Sequence, residues 1–246
     1  MAAGNAHNNK INRMTMPQYE GSSLAQYIAA HIATQIIQGE LLEGERIQEL
    51  RIADELNVSR GSVREALLLL ERTHLIAIFP RRGAIVTEMS TEQVTALFET
   101  VALILGQMAA NMSRDLNLVH KQYCSRLNQQ LHGHVLHHEI QQFYDDIFLG
   151  LQECMQPTRD LYLAKFYQEL LPSIQRCYFL TLNCTQQALE QSEAAFKLVI
   201  AAILSQNSQQ ATLFMHDFCR HLQQLVLQSL TRMKQIELAW ATRSRR

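Results

Sequence analysis

The chain has 246 residues, 47% of them hydrophobic, enough for two ordinary domains each with its own core. A formal net charge of −1 excludes nucleic-acid binding by bulk positive charge, so any such binding must rest on a local patch. The polar stretch Met1–Tyr19 has no export-signal core, no uninterrupted apolar run reaches the roughly 18 residues of a membrane span, and the five cysteines include no CxxC pair; a cytoplasmic protein with reduced thiols and no membrane partner is expected.

Residues 1–21 read as a flexible arm. From Ser22 to Gln38, Leu24, Ile28, Ile32, Ile36 and Ile37 recur at helical spacing, and Gly39 stands where a helix-terminating glycine would. A short second helix from about Ile47 to Leu56 places Leu50, Ala53 and Leu56 on one side. Asn57, Val58 and Ser59 interrupt it. Ser59 is a good N-cap for a third helix, whose apolar stripe is Val63, Ala66, Leu67 and Leu70. The segments Leu75–Phe79 and Ala84–Thr87 then read as two short strands around the basic turn Pro80, Arg81, Arg82 and Gly83. Helix, tight turn, helix and β wing are the order of a winged helix-turn-helix, predicted over residues 22–88. Between Asn57 and Arg82 the basic residues Arg60, Arg64, Arg72, Arg81 and Arg82 face only Glu65 and Glu71, so the local patch lies here.

Beyond residue 90 the pattern is helical with few breakers, giving candidate helices at 91–112, 116–131, 139–155, 161–182, 185–206 and 209–237. The fold expected is mainly α: a winged helix-turn-helix, then an all-helical bundle over 90–238 for effector binding and dimerisation, then a basic tail, 239–246.

The stretch RIQELRIADELNVSRGSVREALLLLERTHLIAIFPRRGAIV resembles the DNA-binding domain of the GntR family of bacterial transcriptional regulators. Val58, Ser59, Arg60, Val63, Arg64, Glu65, Ala66, Leu67, Arg82, Gly83, Ala84 and Val86 fall in register with its motif. Two departures stand out: Gly61 and Ser62 replace a usual Thr-Pro pair, and His74 replaces a usual glycine, a position where histidine tolerates a left-handed backbone better than most residues. The resemblance implies that Arg60 and Arg64 reach base edges in the major groove, where arginine donates two bonds to guanine. It implies phosphate contacts from Ser59, Ser62 and Arg51, and a wing tip of Arg81, Arg82 and Gly83 against the minor groove or backbone. The plainer alternatives are a cap for Ser59, a turn that needs glycine at Gly83, and solvated surface charges for the arginines.

The segments LFETVALILGQMAA, YDDIF and FKLVIAAILSQNSQQA resemble the FCD domain of the FadR-like branch, an all-α bundle that commonly holds a divalent metal with one aspartate and three histidines. Here Asp145 is retained, but Leu149, Phe196 and Phe218 stand where histidines would. Val101 and Leu105 replace a usual arginine and glutamate. One carboxylate cannot substitute for a set of imidazoles, so no metal and no cofactor is expected. Val101, Leu105, Asp145, Leu149, Phe196 and Phe218 then either form a filled core, shape a pocket for an apolar effector, or line a pocket for an unrecognised polar ligand. His134 and His138, within the cluster His132–His138, have the spacing of a zinc pair, but no glutamate motif or cysteine completes a site, and a pH-sensitive or solvated loop is the simpler reading.

No GxSxG and no Gly-rich phosphate loop occur, and Asp145 and Asp146, adjacent on a helix, point about 100° apart. An enzyme is not expected. The reading is a homodimeric, sequence-specific regulator of operator DNA that answers to a small effector. Its alternative is a DNA-binding regulator or architectural protein with a filled core and no effector.

Overall fold

The computed structural model describes residues 23–155, 161–182 and 184–243; the expected arm, 1–21, and the last three residues of the basic tail lie outside them. Helix α1 (Leu24–Ile37) begins at a reciprocal cap in which the Ser23 hydroxyl accepts from the Gln26 amide and the Gln26 side chain accepts from the Ser23 amide. It ends, as expected, before Gly39, whose φ of +75° lets the chain turn away. Helix α2 (Glu49–Leu56) and helix α3 (Arg60–Glu71) follow, joined by Asn57 at φ 53°. The buried residues of α2 are Ile52 and Ala53, whereas Leu50 is 56% exposed. Of the expected stripe, Ala53 and Leu56 pack on the winged-helix core while Leu50 faces solvent, its place in the core being taken by Ile52.

His74 adopts φ 61°, the left-handed turn that its position requires. Strands β1 (Ile76–Phe79) and β2 (Gly83–Val86) pair antiparallel, from Ile76 opposite Val86 to Phe79 opposite Gly83. Arg46 adds a bridge to Ile85, so the wing gains a third, very short extended segment without a strand signature of its own. Isoleucines of α1, the α3 stripe, Leu75, Ala84 and Val86 close one core beneath it.

The second domain comprises α4 (Thr91–Arg114), α5 (Leu118–His137), α6 (Ile140–Met155), α7 (Leu161–Phe179), α8 (Gln186–Leu204) and α9 (Ser208–Arg243). Helix α5 outruns the expected end at residue 131 because Cys124, Leu127, Leu131 and Val135 continue one buried stripe; His138 then stops it with φ 57°. Helix α9 absorbs residues 239–243 of the expected tail. Helix α4 is long and apolar enough to cross a membrane by length and hydropathy, with half of its most apolar window buried in the bundle. It packs along α9 with a close approach at Gly106, where a Cβ would meet His216 Nε2 at 2.5 Å and where the Thr212 hydroxyl donates to the Gly106 carbonyl at 3.1 Å. A side chain at 106 would require the His216 ring to move aside and would press on the Thr212 methyl, at 3.3 Å.

The domains meet through α7. Phe179 packs against the winged-helix core, Arg72 pairs with Glu169 at 3.0 Å, and the Ser173 hydroxyl donates to the Thr73 carbonyl at 2.7 Å. Arg176, 8% exposed, donates to the Thr87 carbonyl at 2.9 Å and pairs with Glu43 at 3.2 Å. Burial lowers its pKa while Glu43 offsets that in part.

Candidate nucleic-acid interface

Helix α3 offers its N-terminus to solvent. Its cap is Ser59, whose oxygen accepts from the Ser62 amide at 3.1 Å, and the two hydroxyl oxygens lie 2.9 Å apart in a shared hydrogen bond. Ser59 is thus engaged as a cap, with Ser62 as its partner, while the preceding amides of the first turn keep the positive end of the helix open.

Arg60 and Arg64, one turn apart on α3, have side chains 59% and 64% exposed. Both reach toward one carboxylate: Arg64 Nε donates to Glu49 Oε2 at 2.8 Å, and an Arg60 amino nitrogen lies 3.9 Å from the same oxygen. Glu49 opens α2 and was not visible as a site residue in the sequence, because its role depends on how α2 crosses α3. Exposed pairs of this kind contribute little stability, so Glu49 can hold the arginines extended and yield them to a stronger acceptor. Arg51, on the exposed side of α2, flanks this face.

The wing tip is the second basic element. Arg81 takes φ 64° and Gly83 φ 81°, and both Arg81 and Arg82 are exposed. The Arg82 guanidinium lies 5.7 Å from the centre of the Phe79 ring. The Arg46 side chain runs past Gly83, within 3.4 Å of where a Cβ would stand, so a third arginine joins the wing. The sequence signal for Arg46 was only its charge; the bridge to Ile85 is what brings it there.

Residues 24–86 match the family model of bacterial regulatory proteins, gntR family. Residues 24–86 are a GntR-family helix-turn-helix domain. The chain is 29% identical over 126 residues to the HTH-type transcriptional repressor RspR of Escherichia coli K12, covering 50% of this chain and 52% of RspR. It is 32% identical over 80 residues to the HTH-type transcriptional regulator YdhC of Bacillus subtilis 168, covering 32% of this chain and 35% of YdhC. The chain thus spans about a third to a half of the length of the curated relatives it matches. The fold is similar over most of its length to Escherichia coli McbR/YncC, with a TM-score of 0.71 at 17% identity over 85% of this chain and 99% of that one. It is also similar to a GntR transcriptional regulator of Rhodococcus sp. RHA1, with a TM-score of 0.66 at 15% identity over 84% and 98%.

Beyond the GntR-type domain, the bundle positions singled out in the sequence separate into two groups. Val101, Leu105, Phe196 and Phe218 are buried in one core, with the Phe196 and Phe218 rings 5.0 Å apart. Leu149 is 36% exposed, and Asp145 accepts a short hydrogen bond from the Tyr178 hydroxyl. Burial raises the Asp145 pKa more than the tyrosine bond lowers it. Among the described residues no group of three or more potential ligands could hold a metal ion. In the histidine cluster, His134 bonds Glu139 and Asp146 through opposite ring nitrogens, while His138 turns off the helix and bonds Gln186 at 2.7 Å. His132 joins Lys197 around the buried Glu193 carboxylate, at 2.9 and 2.6 Å.

Proposed function

We propose that the protein is a sequence-specific transcriptional regulator that binds operator DNA as a homodimer in the cytoplasm. The observation that carries the reading is the pair of exposed arginines at the open end of α3, held extended by Glu49 on a family-matched helix-turn-helix. Arg60 and Arg64 read base edges; Arg51, the α3 terminus with Ser59 and Ser62, and the Arg81–Gly83 turn hold phosphates or line the minor groove. One such head spans too few base pairs for useful selectivity, so two heads on a pseudo-palindrome are expected, with the helical domain joining them. A small effector held by the helical domain would set operator affinity. The close contact of Phe196 and Phe218 favours a packed bundle interior over a pocket at Val101, Leu105 and Phe218.

The test is a salt titration of binding to an operator selected from randomised duplexes and to its scrambled form. Arg60→Ala or Arg64→Ala should cost roughly 1–3 kcal/mol per half-site and relax discrimination at particular base pairs. Arg81→Ala should weaken both duplexes about equally and flatten the salt dependence. Unchanged operator affinity in both helix variants would show that α3 does not enter the groove.

A further inference from the structure

Between the two domains lies a cleft of about 650 Å³, within the range of small-molecule sites. One wall comes from the winged helix, through Glu71, His74 and strand β1; the other comes from α4 and α7. Its apolar lining includes Ile76, Met89, Val94, Leu97, Leu170 and Cys177. Burial pushes the Cys177 thiol up to about 12, so this wall is inert hydrocarbon and neutral sulfur.

Most polar groups of the lining are already engaged. The Thr87 hydroxyl donates to the His74 carbonyl at 2.9 Å, that of Ser173 to Thr73, and that of Thr100 to Ala96 at 2.9 Å. The Gln93 side-chain oxygen accepts from the Ser90 amide at 3.0 Å, and Arg176 is held by the Thr87 carbonyl and Glu43. Two carboxylates remain. Glu71 uses Oε1 to accept from the Ile78 amide at 2.8 Å, leaving its second oxygen open, and Glu88 is exposed with no hydrogen bond or ion pair among the described residues. His74 also lines the cleft, and its side chain has no hydrogen bond or ion pair among the described residues. With the Arg176 charge balanced by Glu43, the cleft presents hydrocarbon and an excess of negative charge.

Resting on the reading that operator affinity answers to a small effector, we propose that this interdomain cleft is the effector site and that it takes an amphipathic amine. The apolar body lies on Met89, Val94, Leu97 and Leu170, and the ammonium group faces Glu71 and Glu88. Because the walls belong to different domains, a ligand that fits one relative placement of head and bundle favours that placement over others, which is how it would alter operator binding.

The experiment is calorimetric titration of the full chain, without DNA, with 4-phenylbutylamine and with 4-phenylbutyrate, which share a body and differ in charge. The amine should bind with a Kd on the order of 1 mM, ordinary for a probe of this size, and the acid roughly tenfold more weakly. Leu97→Trp, which fills the cleft from α4, should abolish amine binding. Glu88→Gln should weaken the amine roughly two- to fivefold and leave the acid no weaker, as removal of one exposed charge implies. Ala77→Trp fills the cleft from the opposite wall and replaces Leu97→Trp if that variant melts early. Equal affinity for the two probes, amine binding that survives both tryptophans, or no saturable amine binding would overturn the proposal. Operator affinity measured without probe separates the two readings: its absence beside intact, tryptophan-sensitive amine binding refutes the regulator and not the cleft.

Discussion

The winged helix and the helical bundle carry their information in opposite ways. In the head, meaning lies in what is exposed: Arg60, Arg64, Arg81 and Arg82 project from a small core that fixes their register. In the bundle it lies in what is buried, since Val101, Leu105, Phe196 and Phe218 meet inside a single core. A charge on a rigid surface constrains function directly. A buried ring constrains first of all packing, and its functional content is what it prevents.

That contrast can be broken by truncating one ring. Phe218 is fully buried against Phe196, so Phe218→Ala should cost about 3–5 kcal/mol by urea denaturation, the sum of lost transfer energy and a cavity. If these positions instead lined a ligand pocket already open to solvent, the loss would fall below about 1 kcal/mol. That smaller value would return the bundle interior to the list of effector sites.

The joint between the regions comes next in size. Arg176→Ala removes the donor to the Thr87 carbonyl and the partner of Glu43, and should cost about 1–3 kcal/mol. The loss falls on the joint and not on either core, so calorimetry should show one transition in the wild type resolving into two. A single transition at an unchanged midpoint would mean that the domains are held together without Arg176.

Arg176 also shows where sequence reading stops. The head was legible because its signals are local: a Ser59 cap, a stripe from Val63 to Leu70, and a left-handed His74 each follow from a few neighbouring residues. Arg46 and Glu49 escaped because one depends on a bridge to Ile85 and the other on how two helices cross. The bundle helices were legible as stripes, but the cleft was not. Its walls come from segments far apart in sequence, and nothing in the residues around Glu71 or Leu97 announces that they face each other. Leu149 makes the same point in reverse, since a position inferred from a resemblance to buried ligands turned out 36% exposed.

The smallest expected effect concerns His134, which links α5 to α6. Burial pulls the imidazole pKa down, but Glu139 at 2.7 Å and Asp146 at 2.9 Å together outweigh it, leaving the pKa above its ordinary value of 6.5. A raised folded-state pKa means that the folded protein binds the proton more tightly than the unfolded chain. The stabilisation is therefore complete below the unfolded value and is lost as pH rises through the folded one. The stability difference between wild type and His134→Gln should be largest near about pH 5.5 and should shrink as pH rises above about 6.5. With the side chain 20% exposed and both acids partly in water, the change should stay under about 1 kcal/mol. Urea denaturation across that range decides it: a difference independent of pH, or growing as pH rises, would show that the two carboxylates do not hold a proton on His134 and that α5 and α6 meet through packing alone.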